Sequence, residues 1–175
     1  MDPRRRRTRE SIVGAFARLS LDQRYDDIRT NDLAAAARIG RSTFYEHFRG
    51  KDEVLLAAME PVLLTLANAI VGRASRAQLR ALLQHIWDRR SLGRIILSSR
   101  AAALVQRRLA AMIEARLEAP AAKGVPASMV AMAAASAELA VLRMWLGGEA
   151  SCGADALARQ LLALQPPLQQ DQQRE

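Results

Sequence analysis

Hydrophobic residues recur along this chain at spacings of three and four, and no stretch alternates regularly between apolar and polar positions. The first example is a single apolar stripe on a helix expected over about residues 8–21, formed by Ile12, Ala15, Phe16 and Leu19. Such spacing is typical of an amphipathic α-helix, and the abundant Ala, Leu and Met favour the same structure. The pattern therefore predicts an all-α fold.

Polar and glycine-containing segments interrupt this pattern and divide the chain into short and long helices. Thr30 opens a helix over about residues 30–38, because its hydroxyl can cap the free backbone N–H groups. Gly40 marks a turn before a third helix over about 41–48, which Gly50 ends. Further helices are expected over about 51–71, 74–90, 92–97, 100–119, 126–146 and 154–164, with a loop over 120–126 and a disordered polar tail over 165–175.

The distribution of charge along the chain indicates what kind of partner the protein binds. The 175 residues include 26 Lys and Arg against 18 Asp and Glu, a net charge of +8. Residues 1–51 hold 12 basic and 7 acidic side chains, whereas residues 52–175 hold 14 and 11. This excess indicates nucleic acid or an anionic membrane surface as partner, the alternative being an arginine-rich protein with neither. We place a domain boundary near Lys51, giving domains 1–51 and 52–175.

Motifs of enzymes and metal sites are missing from the sequence. It contains 2 His and 1 Cys, with no HExxH, no CxxC and no phosphate-binding glycine loop. We therefore expect no catalytic activity, no cofactor and no metal. A single cysteine, Cys152, indicates a reducing cytoplasm, and we interpret it as an inert thiol, with a redox sensor as the alternative. No signal peptide is expected, and the most apolar stretch, 129–142, is too short to span a bilayer.

The most informative segment runs from Ile28 to Lys51 and reads IRTNDLAAAARIGRSTFYEHFRGK. It contains two short helices, each with one apolar side, joined by a turn of three or four residues. This is the pattern of a helix-turn-helix, whose second helix enters the major groove of DNA. Phe44 and Phe48 are four residues apart and are expected in the core.

This segment resembles the tetracycline-repressor (TetR) family of transcriptional regulators. The family pattern is a helix begun by threonine, a turn, and then s-x-x-T-[LF]-Y-x-[HY]-F-x-x-K-x-x-L. The residues that match are Thr30, Leu33, Ala34, Thr43, Phe44, Tyr45, His47, Phe48, Lys51, Val54 and Leu55. Two positions depart from the pattern: Arg38 stands where the family often has a turn glycine, and Gly40 where it often has a capping serine. A positive φ at Arg38 would cost roughly 1 kcal/mol.

The resemblance implies which side chains contact DNA. Phosphate contacts are implied for Thr30, Tyr45, His47 and Lys51, and an approach to base edges for Arg41, Ser42 and Thr43. Arg41 is the best candidate base reader, because its guanidinium fork matches guanine O6 and N7. A mobile arm in the minor groove or along phosphates is expected for Arg4, Arg5, Arg6 and Arg7. The alternatives are a partly buried core Tyr45, a solvated Arg41 and a merely solubilising arginine run.

For the rest of the chain, the resemblance implies a helical bundle for ligand binding and dimerisation. The protein is expected to bind a palindromic double-stranded DNA operator as a homodimer through helices 126–146 and 154–164, and a small hydrophobic effector is expected to release it. The effector pocket is expected within residues 51–119. Its lining would include Met59, Leu63, Leu82, Ile86, Leu104 and Met112, the alternative for each being plain core.

Two other functions stay open at this point. One is a DNA-binding regulator with no small-molecule ligand, controlled by abundance or by a protein partner. The other is a basic amphipathic protein at a membrane surface, which is disfavoured because the apolar stripe of the first helix is narrow and lacks Trp. We expect no membrane partner, and we interpret His85, Trp87 and Trp145 as structural residues.

Overall fold

The computed structural model describes residues 2–117 and 125–164, and within these ranges every regular element is an α-helix. The helices are α1 (Pro3–Asp22), α2 (Thr30–Ala36), α3 (Arg41–His47), α4 (Lys51–Ile70), α5 (Arg76–Asp88), α6 (Arg90–Ser98), α7 (Ala101–Glu114), α8 (Ala127–Gly147) and α9 (Ala154–Leu162). The all-α prediction is confirmed. Most of the expected loop over 120–126 and the tail over 165–175 lie outside the described residues.

The start of α1 differs from the prediction. Asp2 caps the helix, its Oδ1 accepting a hydrogen bond from the Arg4 backbone N–H at 2.9 Å. Pro3 occupies the first helical position, where a missing N–H costs nothing. The four arginines Arg4–Arg7 therefore lie in the first turns of a helix, and the expectation of a mobile arm was wrong.

The N-terminal helices α1, α2 and α3 pack around a core of aromatic and aliphatic side chains. Ile12, Phe16, Leu33, Phe44 and Phe48 are buried there, which confirms the core role predicted for the two phenylalanines Phe44 and Phe48. The first four come from three different helices, and Phe48 directly follows α3. The arrangement is that of a helix-turn-helix braced by the helix that precedes it.

The turn between α2 and α3 contains a strained residue. Arg38 has φ 56° and, among the described residues, is alone in adopting a positive φ without being glycine. The cost is about 1 kcal/mol relative to a residue without a Cβ. Gly40 then caps α3 with φ −70°, a value open to any residue. The positive φ considered for Arg38 is thus observed.

The remaining helices form the C-terminal bundle, with α4 packing against both α1 and α7. Helices α7 and α8 pack along each other, α5 packs on α9, and α6 packs on α8. Trp87 and Trp145 stack with ring centroids 4.7 Å apart, and Trp145 Nε1 donates to the Cys152 carbonyl at 2.9 Å. Because α4 begins at Lys51 and joins both units, the boundary near Lys51 stays a prediction.

Two of the bundle helices are long and apolar. By length and composition alone, α4 and α8 could each cross a membrane. The prediction that the apolar stretch 129–142 is too short to span a bilayer was therefore wrong, since this stretch belongs to the longer helix α8, Ala127–Gly147. Core helices of soluble proteins have the same properties, and both helices here carry core residues that pack against several neighbours.

In the described part of the chain, the core holds one carboxyl group, that of Glu138 on α8. Its side chain is fully buried, and neither oxygen has a hydrogen-bond partner. Burial raises the pKa of Glu138 well above its ordinary value of 4.5. A raised pKa means that the unfolded chain ionises first as the pH rises. Folding is therefore opposed increasingly above about pH 4.5, until the folded-state carboxyl also ionises.

We expect Glu138→Gln to stabilise the protein in a pH-dependent way. Gln imitates the protonated acid at every pH, so the variant and the native protein should have similar melting temperatures near pH 4. At pH 8 the variant should be more stable by about 1–3 kcal/mol. The exposed Glu114→Gln is the matched control. Thermal melts across this pH range that showed a constant difference for Glu138→Gln would contradict the assignment.

Candidate DNA interface and ligand cavity

The outer face of α3 presents most of the side chains predicted to contact DNA. Arg41 and Ser42 are exposed in its first turn, Tyr45 is 51% exposed one turn later, and Thr43 and His47 are half-buried. The apolar side of the same helix is occupied by Phe44, whose ring packs edge-on against Tyr45 at 5.5 Å. The helix therefore has its buried and exposed sides where the sequence pattern predicts them.

Thr30 and Tyr45 meet on this face. Their hydroxyl oxygens are 3.4 Å apart. The contact with Thr30, followed by the influence of Arg41, lowers the pKa of the exposed Tyr45 phenol. Helix α2 begins at Thr30 as predicted, but the cap position is Arg29, whose N–H donates to Asp32 Oδ2 at 3.0 Å. The Thr30 hydroxyl therefore does not cap α2 but faces Tyr45 of α3.

Donors on α1 hold the C-terminal end of α3. Arg5 Nη2 donates to the Glu46 carbonyl at 3.4 Å, and Arg9 Nη1 donates to the His47 carbonyl at 3.3 Å. The Arg9 guanidinium also lies 4.2 Å from the centroid of the Phe48 ring. Cations at a helix C-terminus satisfy free carbonyls and complement the helix dipole. At least one residue of the run Arg4–Arg7, Arg5, thus forms a hydrogen bond within the N-terminal domain.

The end of α2 is held in the same way. Ser11 Oγ donates to the Ala37 carbonyl at 3.2 Å, and Arg18 Nη2 donates to the Ala36 carbonyl at 3.1 Å. Both donors lie on α1. The single helix α1 therefore positions both helices of the helix-turn-helix through their last carbonyl groups.

The side chain of Lys51, at the start of α4, is bound to the loop between α1 and α2. Its Nζ donates to the carbonyls of Tyr25 at 2.7 Å, Asp26 at 3.0 Å and Ile28 at 2.9 Å, and it lies 4.6 Å from the Tyr25 ring centroid. Burial, followed by the charge of Arg100, lowers the pKa of this ammonium group. All three of its protons are directed at the loop between α1 and α2. This geometry gives Lys51 a structural role and does not favour the predicted phosphate contact.

The same loop connects to the C-terminal bundle. The Tyr25 hydroxyl donates to Asp52 Oδ1 at the start of α4, and Asp26 forms an ion pair with Arg100 at 2.8 Å. Burial, together with the Asp52 carboxylate, raises the pKa of the Tyr25 phenol. Arg100 directly precedes α7, so the loop between α1 and α2 contacts both the start of α4 and the start of α7.

A cavity of about 380 Å³ lies where α1 meets the bundle. Its volume is in the range of small-molecule sites. Of the predicted lining, Met59, Leu63 and Ile86 do line it. Leu82, Leu104 and Met112 do not. Further walls come from α6, from Leu139, Leu142 and Leu146 of α8, and from Phe16, Ala17, Arg18 and Leu21 of α1. The expected range 51–119 was therefore too narrow.

Comparison with known proteins agrees with the interface geometry. The family model for bacterial regulatory proteins of the tetR family matches residues 12–58, which span α2, α3 and parts of α1 and α4. Residues 12–58 thus match the TetR family. An uncharacterized HTH-type transcriptional regulator of Bacillus subtilis, YwcC, is 37% identical over 57 residues. That match covers 33% of this chain and 26% of YwcC.

Solved structures extend the likeness from the TetR domain to the fold of most of the chain. A TetR transcriptional regulator from Streptococcus agalactiae 2603V superposes with a TM-score of 0.59 at 20% identity, covering 93% of this chain and 96% of that one. FadR of Thermus thermophilus, a TetR-family repressor in complex with lauroyl-CoA, gives 0.53 at 16% identity, covering 89% and 92%. The all-α arrangement of helix-turn-helix and helical bundle is thus that of TetR regulators.

Several contacts that build the N-terminal domain were not predicted from the sequence. Four side chains of α1 donate hydrogen bonds to backbone carbonyls, and no sequence motif indicates such contacts. They are Arg5, Arg9, Ser11 and Arg18. The Tyr25–Asp52 contact and the Asp26–Arg100 ion pair join distant segments. One signal was present in the sequence: Asp2 followed by Pro3 is a typical helix start. In the described residues, no group of three or more His, Cys, Asp or Glu is placed to hold a metal.

We expect Lys51→Met to lower stability more than a lost phosphate contact would. The substitution leaves three loop carbonyls without their charged donor, which should cost about 2–4 kcal/mol and be visible as a lower melting temperature. The neighbouring Arg49→Met, whose side chain is 93% exposed, is the control and should change it little. An unchanged melting temperature, with a reduced salt dependence of DNA binding, would instead support the phosphate role.

Proposed function

We propose that this TetR-family regulator binds a palindromic operator as a homodimer and is released from it by a ligand in the cavity. The observation that carries DNA binding is the exposed first turn of α3. Arg41 and Ser42 project there from a helix whose other side is anchored by Phe44 and whose end is held by Arg9. A helix fixed in this way can enter the major groove with its side chains already placed.

The roles on this face divide by position. Arg41 begins α3, where a long forked donor reaches base edges, with Ser42 and Thr43 beside it. Thr30 and Tyr45 lie together at the edge of the same face, a position suited to phosphate, and His47 lies a turn further along. Arg4, Arg6 and Arg7 are exposed on the first turns of α1 and are proposed to follow the phosphate backbone.

Replacing Arg41 by Ala should relax base preference at one symmetric operator position. The expected cost is about 1–3 kcal/mol per half-site, because a bidentate contact to guanine is lost. Selection of bound sites from random DNA measures the preference, and titration measures the affinity. Arg107→Ala, which removes the same charge from an exposed position on α7, should leave the selected motif intact. If Arg41→Ala also selected the native motif, α3 would not lie in the groove as proposed.

The homodimer is proposed to form through α8, with α9 beside it. Met129, Ala133, Ala140 and Met144 are exposed on the side of α8 opposite its buried residues. Small and flexible apolar side chains on one helix face are suited to close packing against a second copy. Helix α9 buries Leu157, Ala158 and Leu161 within the protomer, so its outward face is more polar.

A charge on this face should separate the protomers. Met144→Glu would place two carboxylates near a two-fold axis, so we expect a monomer by analytical ultracentrifugation and at least about a tenfold loss of operator affinity. Leu64→Glu introduces the same charge at a partly exposed apolar position on α4 and should remain dimeric. A dimeric Met144→Glu protein with native operator affinity would remove α8 from the interface.

Ligand release is supported by the cavity, whose walls come from both the bundle and α1. A ligand that shifts α1 would also shift α2 and α3, because α1 donates hydrogen bonds to the ends of both helices. Ligand binding and DNA binding would then be linked by one coupling free energy. The bound lauroyl-CoA of FadR shows that a protein of this fold accommodates such a ligand. We assign the protein to the cytoplasm, with the action of a repressor.

Filling the cavity should remove the ligand response and leave DNA binding intact. Compounds from a library of small hydrophobic molecules that raise the native melting temperature should also release the operator. Ala58→Phe, in the cavity wall, should abolish both effects, whereas Ala81→Phe at an exposed position of α5 should preserve them. A library in which no compound raises the melting temperature would favour a regulator without a small-molecule ligand.

A further inference from the structure

The two charged side chains that line the cavity are both arginines. Its wall contains Arg18, His85 and Arg89, and no acidic residue. The rest of the lining is almost entirely aliphatic, with Phe16 as its aromatic member. An apolar cavity with a small number of charged groups at its margin is suited to a ligand that is apolar along most of its length and anionic at one point.

Among the described residues, the two cavity arginines also have no acidic partner. Arg18 donates to the Ala36 carbonyl, and Arg89 Nη1 lies 2.9 Å from a ring nitrogen of His85. Elsewhere in the described residues, Arg76, Arg100 and Arg108 are each paired with a carboxylate. Arg18 and Arg89 are both exposed, and a guanidinium carries five N–H donors, so each keeps donors available for an incoming anion.

We propose that the ligand is an amphipathic anion, such as a single-chain carboxylate. Its chain would lie among Met59, Leu63 and Leu142, and its head group would be bound by Arg18 and Arg89. This inference rests on the proposed function, in which the cavity is the effector site. It adds the chemical class of the ligand and the residues that select it.

Arg18 gives this ligand a direct route to the helix-turn-helix. The same guanidinium that lines the cavity donates to the Ala36 carbonyl at the end of α2, 3.1 Å away. A carboxylate is a stronger acceptor than a peptide carbonyl, so a bound head group competes for this donor. The end of α2 then loses one of its two ties to α1, and the position of α3 beyond it is less constrained.

The experiment compares three ligands of equal chain length: decanoate, 1-decanol and decyltrimethylammonium, all below their aggregation concentrations. Binding is followed by intrinsic tryptophan fluorescence, since Trp87 and Trp145 directly adjoin the lining residues Ile86 and Leu146. Operator release is measured in parallel. The native protein should bind decanoate at least about tenfold more tightly than decanol, and decyltrimethylammonium no more tightly than decanol.

Arg18→Gln and Arg89→Gln should each reduce the preference for decanoate over decanol, and the double variant should abolish it. Arg107→Gln, remote from the cavity, should keep the native preference. Arg18→Lys, which keeps the charge, should retain part of it. Melting temperatures of the unliganded variants establish that each one is folded.

The outcomes separate this inference from the function on which it rests. Equal binding of decanoate and decanol with operator release would overturn the anionic ligand and leave ligand-controlled DNA binding in place. Arginine-dependent decanoate binding without operator release would support the ligand class and contradict ligand control. A decanoate preference that survives in the double variant, or no binding of any of the three compounds, would overturn the inference.

Discussion

The helix-turn-helix of this protein depends on side-chain donors that satisfy the carbonyl groups at the ends of its short helices. α2 and α3 have 7 residues each, too few for a helix to be stable alone. The last carbonyls of each would also be unpaired without outside partners. Ser11 and Arg18 supply them for α2, and Arg5 and Arg9 for α3. Lys51 does the same for the loop before α2.

This arrangement explains what the sequence could predict and what it could not. Periodicity locates helices because a buried stripe repeats every three or four residues, and Phe44 and Phe48 are buried as that rule predicts. The family pattern likewise identifies Arg41 and Tyr45 on the outer face. Hydrogen bonds from side chains to backbone carbonyls produce no such pattern in the sequence, since any long side chain with a donor at a suitable distance can form them. Lys51 shows the consequence: its position at the start of α4 was predicted correctly, but the three hydrogen bonds from its side chain to loop carbonyls were not.

The cavity was predicted only in part for a related reason. Met59, Leu63 and Ile86 were found because they belong to apolar stripes of the bundle helices. The wall contributed by α1 depends on how the DNA-binding domain sits on the bundle, and no periodic pattern encodes that angle. The ion pair between Asp26 and Arg100 lies at the same junction between the N-terminal helices and the bundle. Both features arise at the junction between the helix-turn-helix and the bundle, through which the proposed ligand control would act.

The close approach of α6 and α8 has a consequence for the range of compounds that such a protein can recognise. Gly93 faces α8 so closely that a Cβ at this position would lie 2.9 Å from Leu146 Cδ1, and both residues line the cavity. One added methyl group would therefore displace Leu146 and reshape the cavity. Under the function proposed above, a single codon change at position 93 would alter effector selectivity and leave the proposed operator contacts unchanged.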